Sequence, residues 1–170
     1  NIESRVVGAI IQEVKDNQVI FEWDSTDHPE LYELSTAGND FYNTEAYWAD
    51  YAHINSVILD NDQNFICSFR NLDTVIKIDR TTGDILWKLG GKADEFGLTD
   101  AQKFSQQHDA RITSDGYITI FNNGNLENSF TDGHTSIIKI KLDESAKTIL
   151  DYQSFSVNGQ FSSHMGSAQE

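Results

Sequence analysis

The chain has one cysteine, one proline and one methionine in 170 residues. No apolar run approaches the roughly 20 residues that cross a bilayer as a helix. The lone thiol, Cys67, excludes an internal disulfide, and its place inside the apolar run FICSF makes it a buried side chain. A single proline leaves little room for rigid linkers. Basic residues are also scarce, 12 against 27 acidic ones, for a net charge of −15. Nucleic acids and anionic membranes are gripped by Lys/Arg clusters. No such cluster is present, so neither is an expected partner. No signal-peptide pattern is visible, yet the chain opens on Asn1 and reads as a piece cut from a longer precursor, which leaves room for a lost leader. With 38% apolar and 11% aromatic residues, the composition is that of one globular domain with a real core.

What is there is mostly strand. RVVGAIIQEV, VIFEW, INSVIL, FICSF, TVIKI, DILWKL, ARI, YITIF, SIIKIKL and TILDY are short β-branched or aromatic runs. KDNQ, DNDQN, NLD, RTTGD, SDG and DESAK punctuate them as turns. Helical periodicity is nowhere sustained; LTDAQKF, residues 98–104, is the one candidate for a short helical turn. The expected fold class is all-β.

The chain also repeats itself. IIQEVKDNQVIFEW, VIKIDRTTGDILWK and IIKIKLDESAKTILDY share one plan: a β run, a polar turn, and a second run ending near Trp23, Trp87 or Tyr152. Inner hairpins, HINSVIL-DNDQ-NFICSF and HDARIT-SDG-YITIF, precede the second and third copies. Four strands per unit, repeated, are the signature of β-propeller blades. The expected division is residues 1–50 with an outer hairpin only, 51–106 and 107–160 as whole blades, and 161–170 as the start of another. About three blades cannot close a ring, and a propeller leaves few edges only when closed. The chain is therefore expected to be part of a larger propeller, or to pair with a second copy as a homodimer that completes one.

His53, Asn55 and Arg70 interrupt strands that otherwise read as sheet interior. Alternation puts His53 and Asn55 on one face, Ile54 and Ser56 on the other. A turn centred on Asn61–Asp62 pairs position 53 with Arg70, and a one-residue shift pairs Asn55 with Arg70. Either register makes Arg70 a direct or diagonal neighbour of both. The next blade opens QQHDARI, which sets His108 at the position of His53, aimed at the same end of the channel. A turn centred on Asp115–Gly116 pairs His108 with Asn123, a candidate for contact with substrate or with the histidine.

AHINSV, CSFRNLDTVIKIDRTTGDILWKLGGK and FSQQHDARITSDGYITIFNNGN resemble the arylsulfotransferase family, the bacterial arylsulfate sulfotransferases and their relatives. The likeness runs from about residue 20 to 125. It implies a six-bladed propeller that moves a sulfuryl group from a phenolic sulfate ester to a phenol acceptor, by ping-pong transfer and without a nucleotide sulfate donor or other cofactor. The family's transient sulfohistidine falls on His108. Its HxN histidine and asparagine fall on His53 and Asn55, and its SxR arginine on Arg70. A further active-site histidine belongs to an earlier blade, where His28 in DSTDHPEL is the candidate. The resemblance also implies a location outside the cytoplasm: secreted, periplasmic or on the cell surface.

These residue types suit that chemistry. A neutral imidazole can split one displacement into two. A guanidinium offers a rigid fork of donors to an anionic oxyacid. A protonated histidine can give a proton to the departing phenolate and take one from the incoming phenol. Asn55 can hold an oxygen or orient an imidazole.

The rival reading is a non-catalytic propeller that binds an anion or sugar, or serves as a scaffold. A second is hydrolysis, with water in place of the phenol; Cys67-Ser68-Phe69-Arg70 does not match the usual sulfatase motif. A metal site is not expected. Asp109 falls on the opposite face from His108, no HExxH or cysteine-pair spacing is present, and DNDQN has Phe65 where a calcium loop needs glycine. Arg111 shares the face of Asp109, and His134 belongs to a loop. SSHMGSAQE is open to two readings, a vector remnant or the start of a next inner strand.

Overall fold

The computed structural model describes residues 6–36, 49–125, 133–157 and 159–169. The strands fall where the β-branched runs lie. A short parallel pair joins β1 (Val6–Val7) to β4 (Ala49–Asp50), and β2 (Ile10–Lys15) and β3 (Gln18–Asp24) form a hairpin. Two four-stranded antiparallel sheets follow in simple sequential order. The first contains β5 (Ile54–Leu59), β6 (Phe65–Phe69), β7 (Thr74–Ile78) and β8 (Ile85–Gly90). The second contains β9 (His108–Ile112), β10 (Ile118–Asn122), β11 (Ser136–Asp143) and β12 (Thr148–Ser156). The chain is thus all-β, as its composition and patterning require. Among the described residues the one α-helix, α1 (Glu30–Leu34), lies in HPELYEL, which the apolar periodicity did not single out, whereas LTDAQKF forms only turns.

The core has two layers on either side of the β5–β8 sheet. Ile11 and Trp23 of the β2–β3 hairpin pack on Cys67, Phe69, Ile76 and Ile78. On the other face, Ile66, Val75, Trp87 and Leu89 pack on Ala110, Ile118, Ile120, Ile138 and Ile140 of the next sheet. β6 and β7 are buried along their whole length because they meet a neighbour on both faces. Cys67 is one of these residues, and burial pushes its thiol pKa far up, so it is inert packing.

The outer hairpins are copies of one structural unit. In each, the register slips by one residue on the second strand, leaving Ile20, Leu86 or Leu150 as an unpaired bulge. Such bulges twist an outer strand and blunt it against edge pairing. The residue before the slip is Glu13, Lys77 or Lys141. Two of these reach the turn of the following hairpin: Glu13 accepts from Arg80 Nε at 2.6 Å, and Lys77 Nζ donates to Glu144 Oε1 at 2.8 Å. The charges are reversed between the two contacts while the geometry is kept. The aromatic landmarks are less regular. Trp87 stands opposite Lys77 and faces the next sheet, but Tyr152 stands opposite Ile140 and faces back. Trp23 donates its indole N–H to Gly83 O, 3.1 Å away on the following hairpin.

Lys77 is 1% exposed, an unusual place for an ammonium. Burial works against its charge, but Asp60, Asp62 and Glu144, all within 2.8 Å, outweigh it and hold its pKa above the ordinary lysine value. Removing the cation leaves the buried carboxylate of Asp60 uncompensated. Lys77→Ala is therefore expected to lower stability by about 3–5 kcal/mol. The check is the urea midpoint at unchanged slope.

Candidate active site

The chain enters the first inner hairpin through a fixed point. Tyr51 and Ala52 are fully buried, and the Tyr51 hydroxyl donates to Ser25 Oγ at 2.5 Å. His53 then takes a left-handed backbone, φ +50°, a conformation costing an L residue roughly 1–2 kcal/mol. Two hydrogen bonds hold it there, Arg70 N to His53 O at 2.9 Å and Asn71 N to Ala52 O at 3.2 Å. Position 53 thus sits opposite Arg70. The simple alternation of His53 and Asn55 does not survive, because His53 is not extended and Asn55 is a bulge between Ile54 and Ser56. The His53 side chain is 44% exposed and binds the Asp50 carboxylate through Nδ1.

Arg70 opens a single 3₁₀ turn, Arg70–Leu72, immediately after β6. Its Nη1 donates to Asn71 Oδ1 at 2.7 Å and its Nη2 to Gln106 Oε1 at 2.5 Å. Asn71 is itself tied down, its amide donating to Asp50 O at 2.6 Å. One hydrogen-bonded path therefore runs from His53 through Asp50, Asn71 and Arg70 to Gln106, and from Gln106 O to His108 Nδ1 at 3.2 Å.

The segment leading to His108 is pinned by the preceding sheet. Gln106 is left-handed at φ +48°, and its N–H donates to the buried Asp73 carboxylate at 2.6 Å. The fully buried Gln107 amide lies 3.1 Å from Ser68 Oγ, 3.2 Å from Phe69 O and 3.1 Å from Thr74 O. Asn55 Nδ2 donates to Gln107 O at 2.7 Å, so this amide grips the backbone before His108 with one of its two hydrogens. Asn55 Oδ1 is buried and without a hydrogen-bond partner among the described residues.

His108 is 9% exposed. Its Nδ1 lies 2.8 Å from Asn123 Oδ1 and 3.2 Å from Gln106 O. Both partners are acceptors, so Nδ1 carries the proton and Nε2 keeps a lone pair. Burial, followed by the neighbouring Arg70 and His53, lowers the His108 pKa below its ordinary value, although the hydrogen bonds that Nδ1 donates to Asn123 and Gln106 act in the other direction.

Two repeat assignments need correction. His53 corresponds to Gln106, not His108: both are left-handed, and the Asn71 N to Ala52 O bond recurs as Gly124 N to Ser105 O at 3.2 Å. Likewise His108 stands opposite Phe121, because β9 slips at Asp109, φ +53°. Asn123 reaches the imidazole from beyond the strand end. His28 stacks on Trp23 at 4.8 Å and lies 3.5 Å from Glu30. It makes no hydrogen bond or ring contact with His53, Arg70 or His108 among the described residues. Asp109 pairs with Arg111 at 2.8 Å, on the face the alternation assigned to both.

Sequence reasoning missed Asp50, Asn71, Asp73, Gln106 and Gln107. All flank the motif residues within one to three positions, and their polar side chains in buried strand ends were the available signal. Among the described residues no cluster of His, Cys, Asp and Glu is arranged to hold a metal ion.

With this geometry in hand, the chain matches the arylsulfotransferase (ASST) family over residues 3–170 and belongs to that family. Membership supports a sulfotransferase-type function. Comparison with curated proteins finds no match to the chain.

A histidine whose folded pKa is depressed stabilises the fold above its unfolded value of 6.5 and loses that contribution as pH falls through the folded value. An NMR titration should place the His108 midpoint below 6.5. His108→Gln should flatten the acid-side fall of Tm by removing this contribution.

Proposed function

We propose that the chain transfers a sulfuryl group from a phenolic sulfate ester to a phenol through a sulfohistidine at His108, with no nucleotide sulfate donor. The observation that carries this reading is the tautomer of His108. Both acceptors sit on Nδ1, which leaves an unprotonated Nε2 on a buried ring whose pKa is held down. Such a nitrogen is nucleophilic at neutral pH.

In the first half-reaction Nε2 attacks sulfur and the bond from sulfur to the aryl oxygen breaks. The oxygen leaves with the electron pair and takes a proton from His53. Asp50, bound to His53 Nδ1, holds the ring in place for that transfer. In the second half-reaction the phenol oxygen attacks sulfur, the nitrogen–sulfur bond breaks, and the phenolic proton returns to His53. Arg70 has five N–H donors, and two are engaged by Asn71 and Gln106 among the described residues. The remaining fork suits the equatorial sulfuryl oxygens. Asn55 contributes by fixing the backbone that delivers His108.

We further propose that the two four-stranded sheets are consecutive blades of a six-bladed propeller, residues 51–106 and 107–160. Recurrence of inter-sheet contacts supports this. Ala110 N donates to Ser56 Oγ at 3.0 Å, and Ala168 N donates to Asp109 Oδ2 at 3.3 Å. This recurrence supports reading residues 161–169 as the start of the next inner strand. Further blades come from a longer chain or from a second copy.

The test is to incubate the protein with phenyl sulfate and map the adduct by mass spectrometry. A sulfuryl group on His108, absent from His108→Asn, is expected. Arg70→Lys should slow its formation by about 10²-fold. Phenol release that persists in His108→Asn, or an adduct on another residue, would sink the assignment.

A further inference from the structure

Asn123 is fully buried, and every polar atom of its side chain is engaged. Its Nδ2 donates to Ser162 O at 2.8 Å and to Met165 O at 2.9 Å, which uses both amide hydrogens. Rotating the carboxamide would set Oδ1 against two carbonyl oxygens and leave two acceptors unpaired. The two main-chain carbonyls therefore dictate that Oδ1 faces His108 Nδ1, at 2.8 Å. Gln106 O, at 3.2 Å, is the longer of the two contacts and alone is a weaker hold on that proton.

The segment supplying those carbonyls has little freedom. Met165 is left-handed at φ +57°. Gly166 lies flat against Phe121, where a Cβ would come within 2.2 Å of the ring, and its φ is +125°. Ser167 Oγ donates to Asp109 Oδ2 at 2.5 Å, so the segment is fastened to the strand that bears His108. The backbone bonds that equate Asn71 with Gly124 also equate Arg70 with Asn123. Adjacent sheets thus place an arginine and an asparagine at one structural position, the first suited to an anion and the second to an imidazole.

From this geometry we propose that Asn123 is the positioning residue that decides which nitrogen of His108 attacks, and that docking of residues 162–166 sets it. The proposal rests on His108 as the nucleophile, but the tautomer can be read without turnover. With residues 162–166 docked, the ring is held with Nδ1 protonated and Nε2 armed. With them displaced, the carboxamide can rotate and present its own N–H groups to Nδ1, which favours the opposite tautomer. The nucleophile of one sheet is then switched on by the first strand of the next.

The test is a ¹⁵N-histidine NMR spectrum of the whole chain, with the other histidine signals as the control for folding. The wild type should show His108 as a single Nδ1–H tautomer. Asn123→Ala should give a mixture and lower the His108 midpoint further, with the Arg70 guanidinium and the His53 ring still near it and Asp109 turned to Arg111. Asn123→Asp keeps the acceptor and should keep the tautomer while raising the midpoint. Gly166→Ala touches neither Asn123 nor His108, yet should release the same mixture by lifting the segment off Phe121. In phenyl sulfate labelling, a wrong tautomer should slow sulfation of His108 by about 10²- to 10⁴-fold. An Nε2–H wild type, or a tautomer unmoved in both Asn123→Ala and Gly166→Ala, overturns the proposal. An Nδ1–H wild type that forms no sulfohistidine overturns the transfer reaction and leaves the tautomer assignment standing.

Discussion

Everything at the candidate site depends on one constraint, the anchoring of residues 106–108 to the sheet before them. Asp73 takes the Gln106 N–H, the buried Gln107 amide fills a ring of three oxygens, and Asn55 takes the Gln107 carbonyl. These are polar groups in a setting nearly free of water, where an unmade hydrogen bond costs about 1–3 kcal/mol. The anchoring is therefore specific as well as strong. It converts the position of one sheet into the position of the His108 ring on the next. Apolar packing of Val75, Trp87 and Ile118 holds the sheets together, but it is non-directional and could not set the imidazole by itself.

The same division of labour appears at the periphery. Glu13 with Arg80 and Lys77 with Glu144 make equivalent inter-sheet contacts with opposite polarity. A reversed pair in the next layer makes a slip by one whole hairpin costly, because it would oppose like charges. Order along the stack is thus written in charge, while cohesion comes from the apolar faces. The net charge of −15 belongs to the exterior. Over a screening length of about 8 Å at physiological salt, that exterior has limited influence on an anion approaching Arg70.

The proposed transfer needs a nucleophile that is unprotonated, an anion fork that does not wander, and an acid that can regain its proton. His108, Arg70 and His53 differ in burial in the way those tasks demand. His108 is nearly enclosed, Arg70 is braced on two sides, and His53 stays open to solvent with a carboxylate behind it. The two imidazoles thus have different surroundings, and burial lowers the pKa of His108.

Much of this could be read in the chain itself. Alternating apolar runs and polar turns determined the strands, because side-chain period and turn chemistry are local. The motif residues His53, Asn55, Arg70 and His108 were legible from their polarity within or beside those strands and from the family resemblance. Three things were not. The equivalence of His53 with Gln106, the offset of Asn123 from its expected partner, and the turn of Trp87 toward the next sheet against the backward turn of Tyr152 all involve bulges or left-handed residues. One extra residue inverts the facing of every side chain beyond it. Whether a bulge forms depends on the sheet stacked alongside, so composition and spacing determined the strands and the reactive residue types. Only the tertiary structure decided which atoms meet, since the hydrogen bonds that settle it join residues tens of positions apart.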